Sequence, residues 1–217
     1  MPSERRAPLE AVTIDAFGTL VELADPVEPL RAALAAAGVE RSPAAVAEAF
    51  AAEVAYYVPR AHEGRDAASL ARLRGDCAGV FLAALGAGLD PRGFSPAFVG
   101  SLAFHPLPGV PEALDTLRAR GLRLACVSNW DISLADALAT AGLAERLDAI
   151  VSSAEAGAPK PDPRPFQLAL ERLDADPARA LHVGDGEVDR DGAAAAGLAF
   201  APPPLSTLPR RMAEAAG

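Results

Sequence analysis

The stretch "AVTIDAFGTLVEL", residues 11–23, decides the fold and places the first candidate side chain. Its first four residues are apolar and partly β-branched, a pattern typical of a strand buried on both faces of a parallel sheet. The run ends at Asp15, and Phe17 stands two positions later, where a second acid would be able to carry protons. The stretch predicts a core strand with a carboxylate at its end, and it leaves open which group handles protons there.

Three later apolar runs have the same form. They are "LRLACVS" at 122–128, "LDAIVSS" at 147–153 and "RALHVGD" at 179–185, and each ends in a polar residue or a glycine. Helical patterns that open on Ser, Asp or Pro, or stop at Gly, lie at 109–121, 133–143 and 162–175. This alternation predicts an α/β fold, an open and mainly parallel Rossmann-like sheet flanked by helices.

Residues 21–100 interrupt the alternation. They contain Ala- and Leu-rich helical stretches, such as 29–38 and 42–58, and no convincing strand. The turn-prone segment 104–110 then returns the chain to the sheet. We therefore predict an α/β core made of residues 1–20 and 100–217, with an all-helical cap at residues 21–99.

Composition limits the function classes. The chain has 217 residues, 51% of them hydrophobic, and a net charge of −9, which disfavours nucleic acid and anionic membranes as partners. There is no apolar leader or membrane-spanning run, so a cytoplasmic protein is expected. Cys77 and Cys126 lie far apart in apolar surroundings, a pattern typical of buried free thiols in a reducing compartment.

Polar residues follow all four predicted strands. In chain order they are Asp15, Ser128, Asn129, Lys160, Asp185 and Asp189. Each alone is typical of a turn, a helix cap or a solvated surface. Ligands of open parallel sheets bind outside the carboxyl ends of the strands, so the ordered set predicts one site with a nucleophile or metal ligand, a hydroxyl, an ammonium group and a carboxylate pair.

Four motifs carry a family resemblance. "TIDAFGTLV", "VSN", "SSAEAGAPKPDP" and "HVGDGEVDRDGAAAAG" resemble, in order and spacing, the motifs of the haloacid dehalogenase superfamily of hydrolases. The resemblance covers roughly residues 8–20 and 100–200. The insertion after the first strand resembles the superfamily's cap domain only in its position and helical character.

The resemblance implies a role for each motif residue. The catalytic residues would be Asp15 as nucleophile, Lys160 and Ser128. The substrate-binding residues would be Thr19, Ser128, Asn129 and Lys160. Mg²⁺ would be held by Asp15, the backbone carbonyl of Phe17, Asp185 and Asp189, oxygen ligands of the kind that this ion prefers.

Phe17 departs from the phosphatase pattern. The superfamily's phosphatases place an Asp there as general acid and base, whereas its dehalogenases carry an aromatic residue, use no metal and lack the "GD…D" motif that this chain keeps as "GDGEVD". We weigh the acidic motif more heavily and predict a Mg²⁺-dependent phosphatase of a small phosphorylated metabolite, weakened by Phe17. The alternatives are a hydrolytic 2-haloacid dehalogenase and a non-catalytic metal- or phosphate-binding relative; the ring of Phe17 is also open to a packing role against the cap.

A polar group in the predicted cap stays ambiguous. Tyr57, Arg60, His62 and Arg65 follow a helical run and are either a substrate-recognition face or a solvated helix end. His182 is interpreted as a core histidine rather than a catalyst. A small-molecule substrate and a monomer or homodimer are expected.

Overall fold

A computed structural model of the protein describes residues 8–216, so the first seven residues of the predicted core lie outside the described residues. Its main sheet has five parallel strands in the order β5-β4-β1-β6-β7. These strands are β1 (Ala11–Ile14), β4 (Arg123–Ser128), β5 (Ala149–Ser152), β6 (Ala180–Val183) and β7 (Ala199–Ala201). The predicted open parallel α/β sheet is confirmed.

Helices cover both faces of this sheet. They are α5 (Val110–Ala119), α6 (Leu134–Thr140), α7 (Ser153–Ala156), α8 (Arg164–Leu173), α9 (Glu187–Ala195) and α10 (Leu208–Ala216). Because strand side chains alternate between faces, Val12 and Ile14 belong to a hydrophobic cluster with α5, α6 and α10 residues. Ala11 instead joins the cluster that contains Phe166 of α8 and Ala193 of α9.

Strand β1 lies at the centre and sets the position of the site. Ile14 is in register with Cys126 of β4 on one side and with Val183 of β6 on the other. The backbone N–H of Asp15 donates to the carbonyl of Val183 at 2.8 Å. The residues that follow these three strands therefore meet at one edge of the sheet.

Residues 27–100, which we call the helical insert, have a hydrophobic cluster of their own. Its helices are α1 (Val27–Ala36), α2 (Pro43–Tyr57), α3 (Ala67–Ala84) and α4 (Pro91–Gly100). Phe81 of α3 is fully buried and stacks on Phe94 and packs against Phe98, with ring centroids 6.3 and 5.0 Å apart. The helical character predicted for this region is confirmed.

The prediction that residues 21–100 contain no strand is wrong. Strand β2 (Val21–Leu23) pairs antiparallel with β3 (Phe104–Pro106), so the two linkers to the helical insert form a small ribbon. Each strand has three residues, too few for an alternating pattern to be visible, and the pairing partners are far apart in sequence. The short strand β7 escapes the sequence patterns for the same reason.

Two further sequence expectations have a structural counterpart. Cys77 and Cys126 are both free and buried, as predicted. Among the helices of residues 8–216, none combines the length and the apolar character needed to cross a membrane.

Candidate active site

Asp15 lies at the carboxyl end of the central strand and is 6% exposed. Its Oδ1 atom accepts hydrogen bonds from the Ser128 hydroxyl at 3.0 Å and from the Lys160 ammonium group at 2.5 Å. Within residues 8–216, its other oxygen, Oδ2, accepts no hydrogen bond. One oxygen of this carboxylate is thus held in place while the other is available for chemistry.

Lys160 is the cation of the site and is 4% exposed. Its Nζ atom lies 2.5 Å from Oδ1 of Asp15 and 2.5 Å from Oδ1 of Asp189, and it donates to the carbonyl of Val127 at 3.0 Å. Burial by itself lowers the pKa of Lys160, but the two carboxylates outweigh it and raise the pKa above its ordinary value. The side chain is therefore a charged ammonium group that bridges two acids.

Asn129 holds the backbone of Lys160 in place. Its Oδ1 accepts from the Lys160 N–H at 2.7 Å, and its Nδ2 donates to the Lys160 carbonyl at 3.1 Å. The side-chain amide of Asn129, expected to bind substrate, thus bonds to the backbone of Lys160 instead. This pair of bonds connects the loop after β4 to the loop between α7 and α8.

Three carboxylates meet at the site. Asp15, Asp185 and Asp189 each offer an oxygen, and these oxygens lie within 4.8 Å of one another. Partial burial and the negative charges of Asp15 and Asp189 raise the pKa of Asp185. Hard oxygen donors that repel one another in this way fit a divalent cation such as Mg²⁺.

The turn after Asp15 passes beside this cluster. Gly18 has φ +80°, and a Cβ there would lie 2.5 Å from Oδ2 of Asp185. Only glycine combines this left-handed backbone with so close an approach. Gly18 directly follows Phe17, so this part of the backbone lies beside Asp185. The carbonyl of Phe17 is the predicted fourth metal ligand.

Asp189 is held from three directions. Its Oδ1 contacts Lys160 and His182 Nε2, the latter at 3.1 Å, and its Oδ2 accepts from the Gly186 N–H at 3.0 Å. Burial opposes ionisation, but the His182 hydrogen bond and the Lys160 charge prevail and lower the pKa of Asp189 to about 2. Asp189 is an ionised carboxylate at neutral pH.

His182 supports Asp189 from inside the sheet. It is fully buried, and its Nδ1 lies 2.9 Å from the Thr13 hydroxyl. Burial lowers the pKa of His182, so the ring is neutral, donates from Nε2 to Asp189 and accepts at Nδ1. Its interpretation as a hydrogen-bonded core histidine is confirmed.

Two residues of the first motif have different environments. Phe17 is 53% exposed, so about half of this residue is open to solvent, and a packing role for its ring against the cap stays a prediction. Thr19 is 1% exposed, and its hydroxyl has no hydrogen-bond partner in the described part of the chain. Thr19 and Gly18 also line a cavity of about 500 Å³ whose other walls are residues 107, 108, 110 and 203–206.

The polar residues predicted in the helical insert have different surroundings. Tyr57 donates from its hydroxyl to Oδ2 of Asp131, in the loop after β4, at 3.0 Å. Arg60 lies over the ring of Tyr56, 4.2 Å from its centroid, and His62 and Arg65 follow it. Sequence reasoning missed Asp131, although its position three residues after Ser128 was a signal.

Known proteins share this arrangement. A family described as "Hydrolase: haloacid dehalogenase-like hydrolase" matches residues 9–197. The mouse haloacid dehalogenase-like hydrolase domain-containing protein 3 is 43% identical over 102 residues, which are 46% of this chain and 41% of that protein. A phosphoglycolate phosphatase (plasmid) of Cupriavidus necator is 44% identical over 92 residues, 42% of this chain and 40% of that protein. The matches thus span about two fifths of these curated relatives.

A solved structure extends the likeness over most of the chain. The L-2-haloacid dehalogenase of Xanthobacter autotrophicus with chloropropionic acid covalently bound has a TM-score of 0.63 and 26% identity, and the alignment covers 88% of this chain and 76% of that one. Proteins named as phosphatases and as dehalogenases are therefore both similar to this chain.

Proposed function

This chain belongs to the haloacid dehalogenase-like hydrolases, and on that premise we propose that it is a Mg²⁺-dependent phosphatase of a small phosphorylated metabolite, with Asp15 as its nucleophile. In this proposal residues 1–20 and 100–217 are the catalytic core and residues 21–99 the cap. The three-carboxylate cluster carries the proposal, because attack on a carbon–halogen bond has no need of it.

Charge balance supports a metal at this cluster. Three acids lie around the buried ammonium group of Lys160, and partial burial together with the repulsion among the acids raises the pKa of Asp185. The residues that would hold Mg²⁺ are Asp15, Asp185, Asp189 and the carbonyl of Phe17. When bound there, the ion would offset negative charge on the transferring phosphoryl group.

Asp15 performs the covalent step. Its carboxylate forms a bond to phosphorus while the bond from phosphorus to the leaving-group oxygen breaks, which gives an aspartyl-phosphate. Water then cleaves this acyl phosphate, releases inorganic phosphate and restores Asp15. Lys160 stays protonated and stabilises charge on the reacting oxygens throughout.

The remaining residues bind the substrate and position the reacting groups. Ser128 and Thr19 offer hydroxyl groups to the phosphoryl oxygens, and Asn129 holds Lys160 through its backbone. Phe17 has no proton to give, so the leaving group departs as an anion or takes its proton from water. The site therefore favours substrates with good leaving groups.

A hydrolytic 2-haloacid dehalogenase is the second candidate. The observation that favours it is Phe17, since a halide leaves without a proton, and the similar Xanthobacter enzyme is named for this activity. Asp15 would then attack carbon, halide would leave with the bonding electrons, and water would cleave the resulting ester.

A substrate panel with and without Mg²⁺ separates the candidates. Phosphorylated metabolites and 2-haloacids are each assayed with the wild type, with Asp15→Asn, and with Asp136→Asn, an exposed acid of α6, as the matched control. Phosphate release that needs Mg²⁺ and Asp15 supports the proposal, halide release supports the second candidate, and silence in both assays favours a non-catalytic binding protein. Wild-type turnover by Asp15→Asn would exclude the covalent mechanism.

A further inference from the structure

A second polar network lies between the helical insert and the core, apart from the Asp15 cluster. Its hydrogen bond runs from Tyr57 on α2 to Asp131 in the loop after β4, and the buried residues Glu53 on α2 and Cys77 on α3 lie near it. Glu53 and Tyr57 are four residues apart and share one face of α2. Glu53 is 5% and Asp131 is 4% exposed, so these acids are not part of a solvated surface.

Asp131 is the centre of this network. Its Oδ2 accepts from the Tyr57 hydroxyl at 3.0 Å, and its Oδ1 accepts from the N–H and the hydroxyl of Ser133 at 2.8 and 2.5 Å. Burial and the neighbouring carboxylate raise the pKa of Tyr57, so the phenol keeps its proton and is the donor. One carboxylate oxygen of Asp131 thus accepts hydrogen bonds from the core, and the other accepts a hydrogen bond from the helical insert.

A backbone contact lies beside this hydrogen bond. The N–H of Ile132 donates to the carbonyl of Gly64 at 3.0 Å. A Cβ on Gly64 would lie 2.8 Å from the Cβ of Asp131, so the insert approaches the loop closely at this point. Residues 57–64 of the insert therefore rest on residues 131–132 of the core.

The loop that receives this contact also carries site residues. Ser128 bonds to Asp15, and Asn129 clamps the backbone of Lys160. Trp130 lies between them and Asp131, and its ring packs edge-on against Phe104 of β3, with centroids 4.9 Å apart. One short loop thus touches the site, the insert and the ribbon that connects the insert to the core.

We propose that Tyr57 and Asp131 are positioning residues for the reaction at Asp15: their hydrogen bond seats the helical insert on the 128–133 loop and so sets the geometry of Ser128 and Asn129. This inference rests on the proposed function only where Asp15 is the reacting group. The part of the inference that concerns the position of the helical insert does not depend on the proposed function.

The alternative is a merely structural role. Asp131 already accepts two hydrogen bonds from Ser133, next to the start of α6, and that arrangement holds the loop without help from the insert. Under this alternative, loss of the Tyr57 hydroxyl lowers stability and leaves the loop and the catalytic parameters unchanged. The two cases differ in what happens around Trp130.

Trp130 is the only tryptophan of the chain and is 8% exposed, which makes its fluorescence a local probe. Tyr57→Phe removes one hydroxyl, and Tyr56→Phe removes the neighbouring hydroxyl, which makes no hydrogen bond within residues 8–216. Selective excitation of tryptophan and titration with acrylamide then measure the access of solvent to Trp130. We expect stronger quenching in Tyr57→Phe than in the wild type, and wild-type quenching in Tyr56→Phe.

Kinetics complete the test. A hydrogen bond to a charged group contributes enough that kcat/KM of the best substrate should fall about ten-fold in Tyr57→Phe, and less than about two-fold in Tyr56→Phe. Asp131→Asn, which keeps the side-chain shape, should share the quenching and the loss if Tyr57→Phe does not fold. Equal quenching in both tyrosine variants, or unchanged kcat/KM in a folded Tyr57→Phe, would overturn the proposal. The quenching needs no substrate, so it decides the contact even if the proposed phosphatase activity fails.

Discussion

At the residue scale, Phe17 is the group whose chemistry differs most from its surroundings. It follows Asp15, the proposed nucleophile, by two positions, beside a cluster of acids, and is 53% exposed. A phenyl ring neither donates nor accepts a proton, and general acid–base catalysis is typically worth ~10²–10⁴-fold. The reaction at this site is therefore expected to depend strongly on the leaving group.

Phe17→Asp should restore the missing acid. We expect turnover of an alkyl phosphate to rise by ~10–10³-fold, less than the full range because the new carboxylate is not held by evolved neighbours. An aryl phosphate, which leaves without a proton, should gain much less. The measurement is kcat for both esters at saturating Mg²⁺.

Phe17→Asn is the matched control, since it has the shape of the acid and no proton to transfer. Because Phe17 is exposed, both variants should cost less than about 1 kcal/mol of unfolding free energy. If a folded, metal-binding Phe17→Asp gains no more on the alkyl ester than Phe17→Asn, the absent acid does not limit this site.

At the element scale, the packing of α8 against α9 supports the acid cluster. Gly192 of α9 faces Phe166 of α8, and the Phe166 ring lies edge-on against His182 with centroids 4.8 Å apart. His182 in turn holds Asp189. A chain of close contacts therefore runs from the helix interface to a carboxylate of the site.

Gly192→Ala should be destabilising although alanine favours helices. The new Cβ would lie 2.5 Å from Phe166 Cε2, and such overpacking typically costs about 1–3 kcal/mol. In Gly75→Ala on α3 the nearest atom is an Arg92 side-chain carbon at 3.5 Å, so this control should gain about 0.5–1 kcal/mol from helix propensity. Urea unfolding measures both; equal stabilisation of the two variants would show that Phe166 yields without cost.

The interface of α2 and α3 makes a pH-dependent contribution. Burial raises the pKa of Glu53, against the opposing effect of a hydrogen bond from Cys77. An acid whose folded-state pKa is raised stabilises the fold fully below its unfolded pKa and loses that contribution as the pH rises through the folded pKa. Ionisation of Glu53 therefore destabilises the native state toward neutral pH.

Glu53→Gln removes this titration. Its melting temperature relative to the wild type should rise as the pH increases above the ordinary pKa of a glutamate, because only the wild type then buries a charge. Glu48→Gln, an exposed acid on the same helix, should show no such trend. Parallel pH profiles for the wild type and Glu53→Gln would mean that Glu53 does not titrate in this range.

At the scale of the whole molecule, the cluster of Asp15, Asp185 and Asp189 links ion binding to stability. The three acids come from the residue after β1, from the loop after β6 and from α9, so they meet only in the folded chain. A ligand that binds only the native state stabilises it by ~2.7 kcal/mol at a hundredfold excess over Kd. For a chain of this size that corresponds to a rise of about 5–10 °C in melting temperature.

We expect Mg²⁺ to raise the melting temperature and Asp185→Ala to remove the effect. Without Mg²⁺, the same variant should melt above the wild type, because it removes the partly buried carboxylate whose pKa is raised by burial and by the charges of Asp15 and Asp189. Asp191→Ala, which removes an exposed acid of α9, is the control and should keep the response. A wild type whose melting does not respond to Mg²⁺ would favour the dehalogenase over the phosphatase.

The sequence by itself determined the order of four of the five core strands, the helices between them and the residues that follow these strands. Apolar runs such as residues 11–14 are local patterns, and the geometry of a parallel sheet brings their carboxyl ends together whatever the details of packing. Asp15, Ser128, Lys160 and Asp185 were predictable on that ground alone.

Only the tertiary structure decided how these groups are connected. Lys160 lies between Asp15 and Asp189, Tyr57 reaches Asp131, and β2 pairs with β3, contacts that join residues far apart in the chain. No local periodicity encodes such pairs, because they depend on strand register, on side-chain direction and on which buried polar group finds a partner. The charge balance at Asp15 and the seating of the helical insert are therefore properties of the folded molecule.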